Sequence, residues 1–173
     1  MPPEHRHAYE VIEGPCDLFL DLERTGEHWR HGSVLAEAVE AAACTVVAEL
    51  AAEQRLQVRI DTIVLDCDHA AKFSRHLLVR VTSHGSERVL WRFPRDVGAV
   101  VARVAEWAGT ASEIIDRCVY ADGRCLRLLG SRKLCGEHRA PLELNESRSG
   151  PVVGGSASDV RSRFQFSRYT RPL

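Results

Sequence analysis

The stretch Asp17-Leu18-Phe19-Leu20-Asp21-Leu22-Glu23 alternates without a break. In an extended chain successive side chains point to opposite faces. Leu18, Leu20 and Leu22 therefore share one face, and Asp17, Phe19, Asp21 and Glu23 the other. This reads as a half-buried strand, entered through the Gly14-Pro15 turn. Downstream, Ser33 reads as the N-cap of a long helix over 34–55, in which Leu35, Val39, Ala43, Val46 and Leu50 recur at helical spacing and Glu37 favours the N-terminal end. A second strand is expected over 58–65. A third, rich in β-branched and aromatic residues, is expected over 73–82, and a short one over 88–93 pairs with it through the turn at 83–87.

Pro94 suits the first position of a helix covering 96–108, with Val97, Val100, Val101, Val104 and Trp107 on its buried stripe. Two runs, 114–120 and 125–129, flank Asp122-Gly123 and read as a hairpin. Strands and helices in this order give an α+β fold. From Arg139 onward the composition turns to Ser, Gly, Pro and Arg, so a core over 1–140 and an Arg/Ser/Gly-rich, flexible tail over 141–173 are expected, with Phe164, Phe166 and Tyr169 able to dock at its end.

With 173 residues, 45% apolar and 27% charged, the chain has the composition of an ordinary globular protein. No apolar run approaches the ~18–20 residues that span a bilayer, and residues 1–10 lack the apolar stretch of a secretory signal. Six cysteines fall without a CxxC pair, which suits thiols in a reducing, intracellular compartment. The net charge of −1 does not announce a nucleic-acid binder. One bias stands out: of 23 basic residues only Lys72 and Lys133 are lysines.

Three places carry chemistry. Asp21 and Glu23 lie two apart on a strand, roughly 6–7 Å between Cα atoms, on the face opposite the leucines. Carboxylates so placed can share Mg²⁺ or Mn²⁺; a solvated strand edge would look the same. In Lys72-Phe73-Ser74-Arg75-His76, Ser74 and His76 share a face, and a hydroxyl beside an imidazole can grip phosphate oxygens with Lys72 adding a point charge. An ordinary polar strand face is the competing reading. Finally, Asp116 precedes a basic group of Arg124, Arg127, Arg132 and Lys133, which suits a metal-bound polyphosphate or a structural ion-pair network.

Taken in order, DxE, SxH and a lone acid followed by Arg and Lys resemble the three motifs of the archaeo-eukaryotic primase superfamily. The wording is closest to its PrimPol branch: His7-Ala8-Tyr9-Glu10-Val11-Ile12, Leu20-Asp21-Leu22-Glu23, Lys72-Phe73-Ser74-Arg75-His76-Leu77, Asp116 with Val119-Tyr120, and Arg127-Leu128 with Ser131 and Lys133. The resemblance covers approximately residues 5–140, and both lysines fall inside it.

The resemblance implies a primase catalytic core, an RRM-like sheet beside a small N-terminal α/β module. It implies DNA primase and DNA polymerase activity, that is, nucleotidyl transfer with two Mn²⁺ or Mg²⁺ ions that lower the pKa of the attacking 3′-hydroxyl and stabilise charge on the leaving pyrophosphate. Asp21, Glu23 and Asp116 then correspond to the metal-binding carboxylates. Lys72, Ser74, His76, Arg127 and Lys133 correspond to contacts with the incoming nucleotide, and Arg124 to a contact with nucleotide or template. The implied partners are a DNA template and primer, a dNTP or rNTP, and a single-stranded-DNA-binding protein, with no membrane. The implied compartment is the nucleus or mitochondrion if the source is eukaryotic.

Two departures are visible: the stretch between His76 and Asp116 is short, and Cys118, Cys125, Cys135 and His138 lack paired ligand spacing, so no structural zinc is expected. A catalytically reduced nucleic-acid-binding protein and a metal-dependent phosphodiesterase remain as alternatives.

Overall fold

A computed structural model describes residues 9–67, 72–84, 87–121, 123–133 and 140–148. It is a mixed α+β fold with a mostly antiparallel sheet and two helices. In chain order the elements are β1 (Tyr9–Val11), β2 (Leu18–Thr25), α1 (Gly32–Glu53), β3 (Val58–Asp66), β4 (Lys72–Ser83), β5 (Arg88–Val89), α2 (Pro94–Ala108), β6 (Cys125–Arg127) and β7 (Glu143–Leu144). Short 3-10 turns occupy Trp29–His31, Gly109–Ile114 and Arg117–Tyr120. Among the described residues no helix is long and apolar enough to cross a membrane.

The main sheet runs β2-β4-β3-β7, with β5 continuing along β4, while β1 and β6 form a separate two-stranded ribbon. All pairings are antiparallel. The leucine face of β2 is buried as its alternation requires: Leu18, Leu20 and Leu22 pair with Val79, Leu77 and Arg75 of β4. Val39, Ala43 and Val46 of α1 and Val97, Val101 and Val104 of α2 complete the same core.

Asp17 departs from the expected polar face. It is fully buried and ion-paired with Arg88 and Arg80, so one carboxylate ties β2 to β4 and β5.

Several expectations need correction. Ser33 does not cap α1. The 3-10 turn Trp29–His31 runs straight into the helix, leaving His31 at the boundary with helical φ −78° and ψ −7°, and Ser33 lies inside the first turn. A capping side chain needs an extended backbone, which this lead-in turn does not provide. Residues 114–120 form no hairpin with 125–129. Asp116 instead accepts a hydrogen bond from the Cys118 N–H at 2.8 Å and caps a 3-10 turn, the local alternative that short acidic side chains offer the backbone. Cys125–Arg127 pairs with β1, and the 114–120 segment meets the sheet at β2, through the Leu22–Ile115 bridge.

The strand expected over 88–93 is only Arg88–Val89 plus a bridge from Trp91 to Cys16. Trp107 is 57% exposed; at this end of α2 it is Val104, Ala105 and Ala108 that meet the core. The boundary at 140/141 does not hold for the first residues beyond it: Leu142 is fully buried and Glu143–Leu144 adds β7 to the edge of β3. Residues 149–173, including Phe164, Phe166 and Tyr169, lie outside the described residues.

Gly32 brings the start of α1 close against the sheet. A Cβ there would stand 2.3 Å from the ring of Phe73, itself buried in the core. Gly32→Ala is therefore expected to destabilise by about 1–3 kcal/mol through overpacking, against the small gain alanine normally gives a helix. Chemical denaturation checks this; an equal or higher midpoint would show that Phe73 can move aside.

Candidate active site

The site is built by register. In the antiparallel pairing of β2 with β4, Asp21 faces His76, Glu23 faces Ser74 and Thr25 faces Lys72. Directly opposed residues project from the same face, so the DxE and SxH motifs, well separated along the chain, become one surface. Lys72 Nζ lies 2.5 Å from Glu23 Oε1, and Lys133 Nζ lies 3.7 Å from the same oxygen. The two lysines of the protein thus converge on one carboxylate.

Asp116 arrives along the free edge of β2. Its backbone N–H donates to the Asp21 carbonyl at 2.8 Å, next to the Leu22–Ile115 bridge. Tyr120 fastens the same segment: its buried hydroxyl donates to the Phe19 carbonyl at 2.9 Å and its ring packs on Phe19 with centroids 5.2 Å apart. Asp116 and Tyr120 open and close one 3-10 turn, so both ends are held to the strand that bears Asp21. Tyr120→Phe would leave the buried Phe19 carbonyl without this donor, an expected loss of about 1–3 kcal/mol. Thermal melts of the variant check that value.

The electrostatics couple Asp21 to the other two acids. Burial pushes the Asp21 carboxyl up to about 7, and the charges of Glu23 and Asp116 push it the same way, against Lys72 and Arg127. Its Oδ1 is buried and accepts no hydrogen bond; His76 Nε2 stands 3.6 Å away. His76, 3% exposed, is pushed down to about 3 by burial and then by Arg127, Lys133 and Lys72. The imidazole is therefore neutral at ordinary pH, and its contact with Asp21 is not an ion pair.

Arg127, on β6 opposite Tyr9, is buried, and its Nη1 donates to Cys67 Sγ at 3.3 Å. Cys67 in turn contacts the Ala140 carbonyl at 3.2 Å. Beside it opens a cleft of about 580 Å³ lined by Asp66, Cys67, Ala140, Pro141 and residues 143–147. Its lining includes none of the three acids, so it flanks the site.

Eight of the nine residues given roles by the resemblance are thus gathered around β2 and β4. Arg124 is the exception. Its side chain is exposed, and its backbone N–H donates to the Ala121 carbonyl at 3.4 Å while its carbonyl accepts from Ile12 at 3.5 Å.

Asp17, Cys67 and the anchoring part of Tyr120 were not read from sequence as parts of this assembly. For Tyr120, an aromatic hydroxyl four residues past the acid was the available signal. Cys135 and His138 lie outside the described residues.

No protein-family model matches the chain, and no curated protein matches it.

The acids fit a hard divalent cation chemically. Three carboxylates supply oxygen donors of the kind Mg²⁺ and Mn²⁺ take, and a buried carboxylate oxygen with no hydrogen-bond donor stands among them. Among the described residues, no three acidic, thiol or imidazole side chains stand close enough together to hold a metal ion. The Glu23 carboxylate is engaged by ammonium groups instead.

Proposed function

We propose that this chain is a PrimPol-like member of the archaeo-eukaryotic primase superfamily and that it transfers nucleotides onto DNA under the direction of a template. One observation carries the reading: the β2–β4 register sets Asp21 against His76 and Glu23 against Ser74, joining a carboxylate pair to a phosphate-binding pair on a single face. A phosphodiesterase needs the acids but not the Lys72, Ser74, His76, Arg127 and Lys133 set.

In this reading Asp21, Glu23 and Asp116 hold Mn²⁺ or Mg²⁺. When bound, the cations supply charge stabilisation at the reacting phosphate and activation of the primer 3′-hydroxyl. The rest falls to the side chains of the chain. Lys72 and Lys133 leave Glu23 and place ammonium charge on the β- and γ-phosphates, so that they neutralise an acid in the free protein and a triphosphate in the complex. Arg127, with a planar and permanently charged guanidinium, contributes a fixed donor pair. Ser74 and the neutral His76 orient phosphate oxygens by hydrogen bonding. The short bond between Asp116 and the backbone of β2 fixes the third acid relative to the first.

Nucleotide titrations test this division of labour. Lys133→Ala is expected to weaken apparent nucleotide affinity about tenfold or more, since a charge-assisted contact is worth roughly 1.5–3 kcal/mol. His76→Ala is expected to have the smaller effect of a neutral hydrogen bond, about 0.5–1.5 kcal/mol, and His76→Asn to recover part of it. Unchanged titrations in all three variants would return His76 and Lys133 to structural roles.

A further inference from the structure

Arg127 belongs to β6, and β6 pairs with β1 in a ribbon that is a separate sheet from the β2–β4 surface. Its place in the site therefore depends on how its side chain is held between the two sheets. The guanidinium is permanently charged and rich in donors, and it is buried. A buried donor needs an acceptor, and Cys67 Sγ supplies one to Nη1 at 3.3 Å.

The sulfur is itself fixed. Cys67 follows the last residue of β3, and its backbone N–H donates to the Ser74 carbonyl at 2.9 Å. Asp66, just before it, accepts from Arg75 on both carboxylate oxygens, at 2.6 and 3.1 Å, and from Asn145 at 2.7 Å. With the thiol proton given to the Ala140 carbonyl at 3.2 Å, the sulfur lone pairs are left for Arg127. The charge of Arg127 in turn acts on both Asp21 and His76. A line of bonded groups thus runs from the end of β3, through one sulfur, into the site.

We propose that Cys67 is a positioning residue for the nucleotide: its sulfur steadies the Arg127 guanidinium against the β2–β4 surface, where the arginine meets the triphosphate. The inference rests on the proposed nucleotidyl transfer and adds a residue that acts through another without touching the substrate. The chemistry of the thiol suits this task. A carboxylate in its place would compete with phosphate oxygens for the guanidinium, whereas sulfur is a weak acceptor that holds the side chain and leaves its donors to the phosphates.

Two measurements on the full chain test the role. One is equilibrium binding of a fluorescent dNTP by anisotropy; the other is the KM and kcat of single-nucleotide incorporation with Mn²⁺. Cys67→Ala removes the acceptor and is expected to weaken nucleotide binding about two- to tenfold, the span of one hydrogen bond. KM should rise by the same factor with kcat unchanged, the pattern of a contact made equally in the ground and transition states. Cys67→Ser has nearly the volume of the alanine variant but returns an acceptor, so it should recover most of the affinity. Packing alone would make the two variants alike, and partial unfolding would lower kcat without raising KM. In an Arg127→Ala background, Cys67→Ala should cost nothing further, because the residue through which it acts is gone.

Cys67→Ala with wild-type affinity, or with an undiminished further loss in the Arg127→Ala background, would overturn the role and leave the proposed reaction standing. Equal losses in the alanine and serine variants would overturn it too. The expected order of affinities in a chain that binds nucleotide but incorporates none would leave the role of Cys67 standing and sink the proposed reaction. A wild-type chain that binds no nucleotide would overturn both.

Discussion

Asp21→Asn is expected to stabilise the metal-free protein while abolishing its nucleotide incorporation. The carboxyl titrates at about 7 in the fold against an ordinary value of 3.8. The folded state therefore holds this proton more tightly than the unfolded chain. Stability contributed by the protonated form is present below about pH 4 and lost as pH rises toward 7. Three pKa units correspond to roughly 4 kcal/mol once Asp21 is fully ionised. Asparagine keeps the shape and carries no such dependence. In chelator-treated protein, the variant should match the wild type near pH 4 and exceed it increasingly up to pH 8.

His76 works in the opposite sense: depressed from 6.5 to about 3, it lowers stability as pH falls through that interval. The contrast between Asp21→Asn and the wild type therefore isolates the carboxylate. Parallel pH profiles for the two proteins would show that Asp21 is neither buried nor crowded by the other acids.

Asp17, four residues earlier and just ahead of the same strand, should behave the other way. It too has its pKa raised by burial, but Arg88 and Arg80 oppose that shift, and their guanidinium groups depend on it for a buried counter-charge. Asp17→Ala is expected to destabilise by about 3–5 kcal/mol, the usual consequence of leaving one side of a buried ion pair alone. Asp17→Leu combined with Arg80→Met and Arg88→Met should recover much of that deficit, since apolar replacement of a whole buried network is often near neutral. Urea denaturation of the single and triple variants measures both. A single variant as stable as the wild type would mean that the two arginines reach water without Asp17.

What the sequence made legible follows from which signals are local. Strict alternation in residues 17–23 and the β-branched run from Phe73 place β2 and β4 almost to the residue, because a period of two has no competing interpretation at that length. The valines of α2 place that helix equally well.

The failures concern partners at long range. Nothing local tells Cys125–Arg127 to pair with Tyr9–Val11 rather than with the segment just before it. Two apolar runs around Asp122-Gly123 fit a hairpin until Asp116 is seen to spend its carboxylate on the Cys118 N–H. Ser33 is a good N-cap by type, and loses only because a 3-10 turn enters the helix ahead of it.

The site shows the same division. The spacing of Asp21 with Glu23 and of Ser74 with His76 was readable from the period of two; that these pairs face one another was not, since the β2–β4 register is set by burial of the leucines against Leu77 and Val79. The buried state of Asp17 was equally invisible, because its counter-charges, Arg80 and Arg88, come from other strands.

Incorporation of single nucleotides on a primed DNA template tests the central claim most directly. The wild-type chain is given each of the four dNTPs in turn, with Mn²⁺ or with chelator, opposite each of the four template bases. Extension by one residue only with the complementary nucleotide, only with the divalent cation, and not at all in Asp21→Asn is the expected result. Absence of extension under every condition, or Mn²⁺-dependent cleavage of the template strand in its place, would contradict it.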